Sequence, residues 1–158
     1  MYHNIILMHP TKTAGTAVKK ALNAKVKGHL FPNSWGQLMD NNIVVVTVRN
    51  PYDRVLSMYN HFGFSWVNSF DEFLGLIAKS NNILLASQTK YLVKNMELLK
   101  FESLNKDFNK LCKKHNISAT LERVNVTHYK RKTSLSLKEK EIIYKLYKTD
   151  FEILDYEK

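Results

Sequence analysis

The sequence predicts a small α/β protein whose sheet is mostly parallel and is flanked by helices. Two uninterrupted apolar runs, IILM at Ile5–Met8 and IVVVTV at Ile43–Val48, indicate strands that are buried on both faces. Each run is followed at once by a loop and then by a segment with the apolar spacing of a helix. Because strands that alternate with helices favour a parallel sheet, we expect ligands to bind beyond the carboxyl ends of the strands.

The size and composition of the chain suit one domain. The chain has 158 residues, of which 44% are hydrophobic and 24% are charged, as in ordinary globular proteins. We therefore expect a single domain over residues 1–158. The N-terminus lacks a basic segment followed by a long apolar one, and no apolar run approaches the length of a membrane span. These two features favour a cytoplasmic protein without a membrane segment, or a fragment that lacks its targeting segment.

Charge and cysteine content limit the kinds of partner and site. The formal net charge is +10, and only four of the 24 basic residues are arginines. A surplus of this size implies an anionic partner, which could be a nucleotide, an acidic glycan, nucleic acid or a membrane surface. Cys112 is the only cysteine, which excludes an intrachain disulfide and a metal site built from cysteines. Its place among the apolar residues of a predicted helix indicates a core residue.

The loop after the first strand is the most informative stretch of the sequence. It reads HPTKTAGTA over residues 9–17, and the helix that follows is predicted over residues 15–23. The backbone N–H groups at the start of that helix, its positive end and the Lys12 ammonium should meet at one point and bind phosphate or a similar anion there. The stretch resembles a P-loop, but its lysine precedes the glycine, so the strict nucleoside-triphosphatase pattern is not met.

The second strand, Ile43–Val48, should be central in the sheet because it is β-branched and too apolar for a surface position. It leads into Arg49 at the point where a nucleoside triphosphatase would carry a magnesium-holding aspartate, and the lack of an acidic residue counts against ATP hydrolysis. The guanidinium of Arg49 is suited to a phosphate. Asn50 as N-cap and Pro51 at the first helical position predict that a helix begins here.

The remaining elements follow from helix caps and apolar spacing. Ser69, Ser103 and Ser136 stand at N-cap positions of three further helices, and Glu139 forms a capping box with Ser136. The residue pattern of segment 83–93 is mixed and predicts neither a helix nor a strand. The other predicted elements are a short strand at 27–32, a short helix or loop at 34–41, helices at 70–79 and 104–115, a strand at 97–101 and a short segment at 124–126.

Together, the two motifs resemble the paired signatures of a known enzyme family. HPTKTAGTA and the later VVVTVRNPYDRVLSMY are similar to those of sulfotransferases, in the carbohydrate-type branch that contains the heparan sulfate 2-O-, chondroitin and HNK-1 enzymes. LLKFESLNKDFNKLCKKHNI resembles the strand and helix around the family's Phe-Glu-x-Leu element, and IIYKLYKTDFEILDY resembles its C-terminal helix. The resemblance therefore covers almost the whole chain and implies the sulfotransferase fold, a P-loop-like small parallel sheet flanked by helices.

The resemblance also implies a reaction and its substrates. Enzymes of this family transfer the sulfuryl group of 3′-phosphoadenosine 5′-phosphosulfate (PAPS) to a hydroxyl without a metal, and adenosine 3′,5′-bisphosphate is the product. For this chain we accordingly expect PAPS as donor, a hydroxyl acceptor on a carbohydrate, no metal and no nucleic-acid partner.

Matching the motifs position by position implies the residues of the site. Lys12 would stabilise charge on the leaving phosphate, and Arg49 and Ser57, which lie about two helical turns apart, would bind the 3′-phosphate. The base for the acceptor would be His29, because KGHLFP resembles the family segment where a histidine lies near the transferring group, and an ordinary histidine pKa of about 6.5 suits that role. The residues implied to bind the 5′-phosphosulfate are Lys12, Thr13, Ala14, Gly15, Thr16 and Ala17.

Some of these residues have a competing interpretation, and the motif departs from the family in places. His29 could equally be a surface histidine in a loop, whereas His9 and Glu102 are expected to support the structure. The proline stands before Thr11 instead of directly before the lysine, and Ala17 replaces a common serine. The chain is also short for a carbohydrate sulfotransferase.

Two other functions stay open at the level of sequence. One is a P-loop kinase that acts on a small molecule and depends on ATP and magnesium. The other is a basic module that binds an acidic glycan or nucleic acid without catalysis, with an affinity that falls steeply as salt rises. For the basic patch at Lys130, Arg131 and Lys132, a solvated face is favoured over closure on the nucleotide or contact with an acidic acceptor.

Overall fold

The sheet of this protein is parallel and small. In both strand pairs the strands run in the same direction, so their carboxyl ends lie at one edge. The middle position of the second strand confirms the prediction made from its β-branched sequence. The computed structural model describes residues 5–25, 31–32, 42–122 and 131–158, within which the sheet has the order β1 (Ile5–Met8), β2 (Ile43–Val48) and β3 (Glu97–Lys100).

Helices flank the sheet, so the described residues have the predicted α/β class. None of the helices in the described part of the chain is long and apolar enough to cross a lipid bilayer. Short 3-10 turns occupy Gly63–Ser65, Ile83–Leu85, Gln88–Tyr91 and Phe101–Ser103. The helices are α1 (Gly15–Leu22), α2 (Pro51–His61), α3 (Phe70–Lys79), α4 (Leu104–Lys114), α5 (Leu137–Leu146) and α6 (Lys148–Ile153).

The two faces of the sheet bury different side chains, because successive residues of a strand point to opposite sides. On one face, Leu7 and Val45 belong to a core completed by residues of α1 and α4. Cys112 lies in this core and is 9% exposed, which confirms its prediction as a buried apolar residue. The opposite face packs against Tyr91 and Leu154.

A third apolar cluster joins α2, α3, α5 and α6. Tyr59 on α2 contacts the ring of Phe70 edge-on, with ring centroids 5.1 Å apart. Phe73 on α3 and Ile143 on α5 have no exposed surface in this cluster. The cluster holds one side of α2 against the C-terminal helices, and it leaves another side of α2 free to line a ligand site.

Most predicted helix starts are confirmed by their hydrogen bonds. Asn50 accepts a bond from the backbone N–H two residues on, at 2.9 Å, and Pro51 follows it at the first helical position. Ser69 caps α3 by accepting the backbone N–H of Glu72, three residues on. Ser136 and Glu139 form both bonds of the predicted capping box. Each such cap stabilises its helix by about 1 kcal/mol.

Ser103 precedes α4 but makes no side-chain cap bond, contrary to the prediction. Its hydroxyl donates instead to the carboxylate of Asp107 one turn further on. That carboxylate also accepts the backbone N–H of Lys100 at 3.1 Å. An ionised carboxylate is a stronger acceptor than neutral groups, which explains why the hydroxyl serves as a donor here.

The apolar C-terminal helix expected from the sequence is two helices. The backbone of Tyr147 leaves the helical region, with φ −120 and ψ 29, and separates α5 from α6. Its side chain is buried, as the apolar spacing of the helix after Ser136 predicts, and its hydroxyl donates to the carbonyl of Leu85 at 2.6 Å. The apolar pattern therefore identified the buried face correctly but carried no signal for the break.

Other boundaries differ by one residue or fall outside the described residues. The strand predicted at 97–101 ends at Lys100, and the helix predicted at 104–115 ends at Lys114. The predicted segments at 34–41 and 124–126 lie outside the described residues. Of the strand predicted at 27–32, only residues 31 and 32 are described, and they do not belong to a strand.

Candidate anion-binding site

A cleft of about 1950 Å³ lies at the carboxyl ends of the strands. Its walls come from the loop after β1, one face of α2, the turn at Phe101–Ser103 and residues 132–133. Residues that directly follow each of the three strands contribute to it. The cleft is therefore at the edge of the sheet where the sequence predicts a ligand.

The loop after β1 has an unusual backbone. Lys12 and Ala14 both adopt left-handed conformations, with φ 66 and φ 67, although neither is glycine. Each such residue costs on the order of 1–3 kcal/mol, and strained residues of this kind cluster at ligand sites. Because left-handed residues turn successive N–H groups toward one side, this backbone and the start of α1 make a concave surface suited to an anion.

Thr13, between these two residues, fixes the loop to the sheet. It is fully buried, and its hydroxyl donates to the carbonyl of Pro10 at 2.7 Å. Thr47 of β2 lies 2.7 Å from the same oxygen. Since a hydroxyl carries one proton, Thr47 must be the donor in that second bond. The side chain of Thr13 thus faces β2 and not the cleft.

Gly15 is required by a close approach of His9. A Cβ atom added at Gly15 would lie 2.1 Å from Cγ of His9 and 2.6 Å from its Cβ, which no side chain can tolerate without movement. His9 also lines the cleft. Its imidazole therefore supports the start of α1, in line with the structural role expected from sequence.

We expect Gly15→Ala to lower the free energy of unfolding by about 1–3 kcal/mol, because the new methyl group must displace His9 or the loop. Urea unfolding measures this loss. Gly75→Ala is the matched control: a Cβ there meets nothing within 4 Å, and alanine should stabilise α3 by up to about 1 kcal/mol. A Gly15→Ala variant as stable as the original protein would contradict the close contact with His9.

Two cations, Lys12 and Arg49, line the cleft, and neither forms an ion pair with a carboxylate in the described part of the chain. The Lys12 ammonium makes no hydrogen bond or ion pair within the described residues, and burial, followed by the charge of Arg49, lowers its pKa. The Arg49 guanidinium lies 4.1 Å above the ring of Phe101, and its Nη1 is 3.5 Å from the carbonyl of Lys12. Its Nε is buried without a hydrogen-bond partner in the same part of the structure. An anion bound here would stabilise both charges.

The carboxylates that line the cleft either accept hydrogen bonds from other residues of the protein or are exposed at the rim of the cleft. Asp53 is exposed and acts on Arg49 through its charge only. Glu102 accepts the backbone N–H of Asn50 at 2.7 Å and the hydroxyl of Tyr156 at 3.0 Å. Glu102 thus ties the start of α2 to the C-terminal segment, as expected of a residue with a structural role.

The backbone of Arg49 is positioned by Gln88, a fully buried residue of the segment that the sequence left unassigned. Its side-chain amide accepts the N–H of Arg49 and donates to the carbonyl of Arg49, both at 2.8 Å. Gln88 in turn donates its own N–H to the buried carboxylate of Asp150 at 2.9 Å. A glutamine 39 residues away from its partner carries no sequence signal that could have revealed this contact.

Arg54 is a buried residue of α2 that contacts the loop after β1. It is 1% exposed, and its Nε donates to the carbonyl of Thr11 at 3.0 Å. Its guanidinium lies 5.5 Å from the ring centroid of Tyr147, and its Nη1 has no hydrogen-bond partner among the described residues. Arg54 belongs to the second motif, and the sequence alone predicts no role for it. The structure shows a buried positive charge at the start of the loop.

One face of α2 lines the cleft, with residues spaced by about one helical turn. Asp53, Ser57, Asn60 and His61 all reach it. Ser57 therefore lines the same cleft as Arg49, from which it is separated by about two helical turns.

Asn60 attaches the basic segment to α2. Its side-chain oxygen accepts the N–H groups of Arg131 and Lys132, at 2.8 and 3.0 Å, and its amide donates to the carbonyl of Lys132 at 2.7 Å. The Lys132 ammonium lies 2.9 Å from Glu139 and 4.8 Å above the ring of Phe70. Lys132 is thus a neutralised part of the cleft wall, whereas Arg131 is exposed and Lys130 lies outside the described residues.

The structure brings most of the predicted site together. Of the predicted binding residues, Thr13 is the one that does not line the cleft. His29 lies outside the described residues. No group of three or more histidine, cysteine or carboxylate side chains that could hold a metal ion occurs in the described ranges. The predicted residues that line the one cleft are Lys12, Ala14, Gly15, Thr16, Ala17, Arg49 and Ser57.

Comparisons of the chain with protein-family models, with curated proteins and with solved structures found no match.

Proposed function

We propose that the chain is a sulfotransferase that moves the sulfuryl group of PAPS to a hydroxyl of a carbohydrate. The observation that carries the proposal is the convergence of Lys12 and Arg49. These residues belong to two separate motifs and are 37 positions apart in the sequence. Both line one cleft, and within the described residues no carboxylate forms an ion pair with either of them. PAPS has anionic groups at both its 5′ and its 3′ position, so a protein that binds it needs a cationic residue for each of these two groups.

The residues present are suited to this donor. The strained loop and the start of α1 offer backbone N–H groups to the 5′-phosphosulfate, and the exposed Thr16 adds a hydroxyl. Arg49 and Ser57, which line the same cleft, offer a guanidinium and a hydroxyl to the 3′-phosphate. A cleft for a single small molecule measures about 300–1,000 Å³, so about 1950 Å³ leaves room for an acceptor beside the donor.

The catalytic contribution of the chain is electrostatic. The bound donor supplies the sulfuryl group, and the protein binds it, orients it and stabilises the charge that develops on the leaving phosphate. Lys12 is the residue for that last task, because its ammonium is partly buried and has no partner among the residues that the structure describes. Positioned charges of this kind act more strongly in a desolvated site than in water.

The binding of adenosine 3′,5′-bisphosphate tests the proposal. Calorimetry without magnesium should show binding to the original protein, and Arg49→Ala should weaken it about 100-fold, since a charged hydrogen-bond donor to phosphate is lost. Arg131→Ala is the matched control, because the Arg131 side chain is exposed and does not line the cleft. Failure of the original protein to bind, or tighter binding of ATP with magnesium, would overturn the proposal.

A further inference from the structure

The loop after β1 has bonded carbonyl groups and free N–H groups. None of the backbone N–H groups of residues 12–16 forms a hydrogen bond within the described part of the chain. Most carbonyls of the same loop do accept a hydrogen bond, and every donor belongs to the protein itself. These carbonyls are those of Pro10, Thr11, Lys12 and Ala14.

A bonded carbonyl fixes the direction of the N–H group that follows it. In a trans peptide unit the C=O of one residue and the N–H of the next residue point in opposite directions. No peptide bond among the described residues is cis. The group that holds the carbonyl of Thr11 therefore also directs the N–H of Lys12 away from itself.

Arg54 on α2 is the group that holds the carbonyl of Thr11. Its Nε donates to that oxygen at 3.0 Å, and its Nη2 donates to the carbonyl of Leu84 at 3.4 Å. Thr11 and Leu84 line the cleft and Arg54 does not, so the guanidinium lies directly behind the cleft wall. An N–H of Lys12 that points away from Arg54 consequently points toward the cleft.

The charge of Arg54 has no counter-ion in the described ranges. The side chain is almost completely buried and forms no ion pair with a carboxylate there. Burial of such a cation is costly, and the two carbonyls and the ring of Tyr147, 5.5 Å from Cζ, offset only part of the cost. Its Nη1 has no hydrogen-bond partner among the same residues. An anion bound in the loop would offset more of this cost.

We propose that Arg54 is a positioning residue for the anion that the loop binds. It holds the carbonyl of Thr11 so that the N–H of Lys12 faces the ligand, and its buried charge adds to the attraction for the anion. The inference rests on the proposed sulfotransferase function only for the identity of that anion, the 5′-phosphosulfate of PAPS. Arg54 acts through the loop and contacts neither the donor nor the acceptor.

The test measures the affinity of Arg54→Lys for three probes by calorimetry without magnesium. The probes are adenosine 3′,5′-bisphosphate, inorganic pyrophosphate and adenosine 3′-monophosphate, which has no 5′ anion. Lysine keeps the charge but cannot reproduce the fork that reaches both carbonyls. We expect about tenfold weaker binding of the bisphosphate and of pyrophosphate, the loss of one charged hydrogen bond, and unchanged binding of the 3′-monophosphate.

Two further variants define the effect. Arg54→Met loses the charge as well as the fork, so its loss for the same two probes should be larger, about 100-fold. Arg131→Lys is the matched control, because it makes the same exchange at an exposed position that does not line the cleft. Arg54→Lys carries the test alone if the methionine variant does not fold.

The outcomes separate this inference from the function on which it rests. Equal affinity of Arg54→Lys and the original protein for the bisphosphate and for pyrophosphate would overturn the positioning role and leave the sulfotransferase proposal in place. An equal loss for all three probes would also overturn that role, because a general structural defect would explain it.

Failure of the original protein to bind the bisphosphate would overturn the proposed function. Weaker binding of pyrophosphate by Arg54→Lys would even then support the positioning of the loop by Arg54. Failure of the original protein to bind any of the three probes would overturn both.

Discussion

Replacing Lys12 with alanine should lower the rate of sulfuryl transfer about 10²–10³-fold, the loss typical of removing one group that stabilises transition-state charge. Lys12 is the cation of the loop whose ammonium has no partner in the described residues, and burial already lowers its pKa. The positively charged form of Lys12 is therefore stabilised most when negative charge develops next to it. The measurement is kcat/KM for PAPS, followed as the formation of adenosine 3′,5′-bisphosphate, with water, heparosan and desulfated chondroitin as the hydroxyl sources.

The backbone of the loop should not change in this variant. Lys12 is left-handed with φ 66, and alanine accepts that conformation at a cost similar to that of lysine. The free energy of unfolding should accordingly stay within about 0.5 kcal/mol of the original value. Lys19→Ala is the matched control, because it removes the same charge from an exposed position on α1 that does not line the cleft. Unchanged turnover in Lys12→Ala, or an equal loss in Lys19→Ala, would contradict the role of Lys12.

The sequence predicted those features of the fold that depend on residues close together in the chain. The apolar runs at Ile5–Met8 and Ile43–Val48 are the strands β1 and β2, with the predicted bounds. Asn50 with Pro51 begins α2 as predicted, because a cap acts within one helical turn. The convergence of both motif loops was predictable as well, since parallel strands place their carboxyl ends at one edge.

The features that the sequence did not predict depend on contacts between distant residues. Thr13 belongs to the loop motif, but its hydroxyl is held by Thr47, 34 residues away, and so it faces β2. Arg54 reaches Thr11, 43 residues away, from a helix whose pattern shows only that the position is polar. Gln88 lies in a segment without helical or strand periodicity. No local pattern distinguishes such polar residues from ordinary surface positions.

Replacing Asp150 with asparagine should lower the free energy of unfolding by about 2–3 kcal/mol. Asp150 has no exposed surface, and its carboxylate accepts the hydroxyl of Ser87 and the backbone N–H groups of Gln88 and Thr89. All three partners are donors. Asparagine keeps the shape of the side chain but turns one acceptor oxygen into an N–H₂ group, so at least one buried donor would face another donor.

Urea unfolding measures this loss, and Glu152→Gln provides the matched control two residues further along α6. Glu152 forms an exposed pair with Lys148 at 3.5 Å, so its neutralisation should change the free energy of unfolding by less than about 0.5 kcal/mol. A loss in Asp150→Asn no larger than in Glu152→Gln would mean that the bonds to Ser87, Gln88 and Thr89 contribute little to stability.

The same substitution should also weaken nucleotide binding, although Asp150 does not line the cleft. Gln88 is held by Asp150 through its backbone and holds the backbone of Arg49 through its side chain. Loosening the first contact should let Arg49 move, which lowers the affinity for adenosine 3′,5′-bisphosphate by less than Arg49→Ala does. Glu152→Gln should leave that affinity unchanged. If Asp150→Asn loses stability but binds the nucleotide as tightly as the original protein, then the sheet and the N-cap of α2 hold Arg49 without help from Gln88.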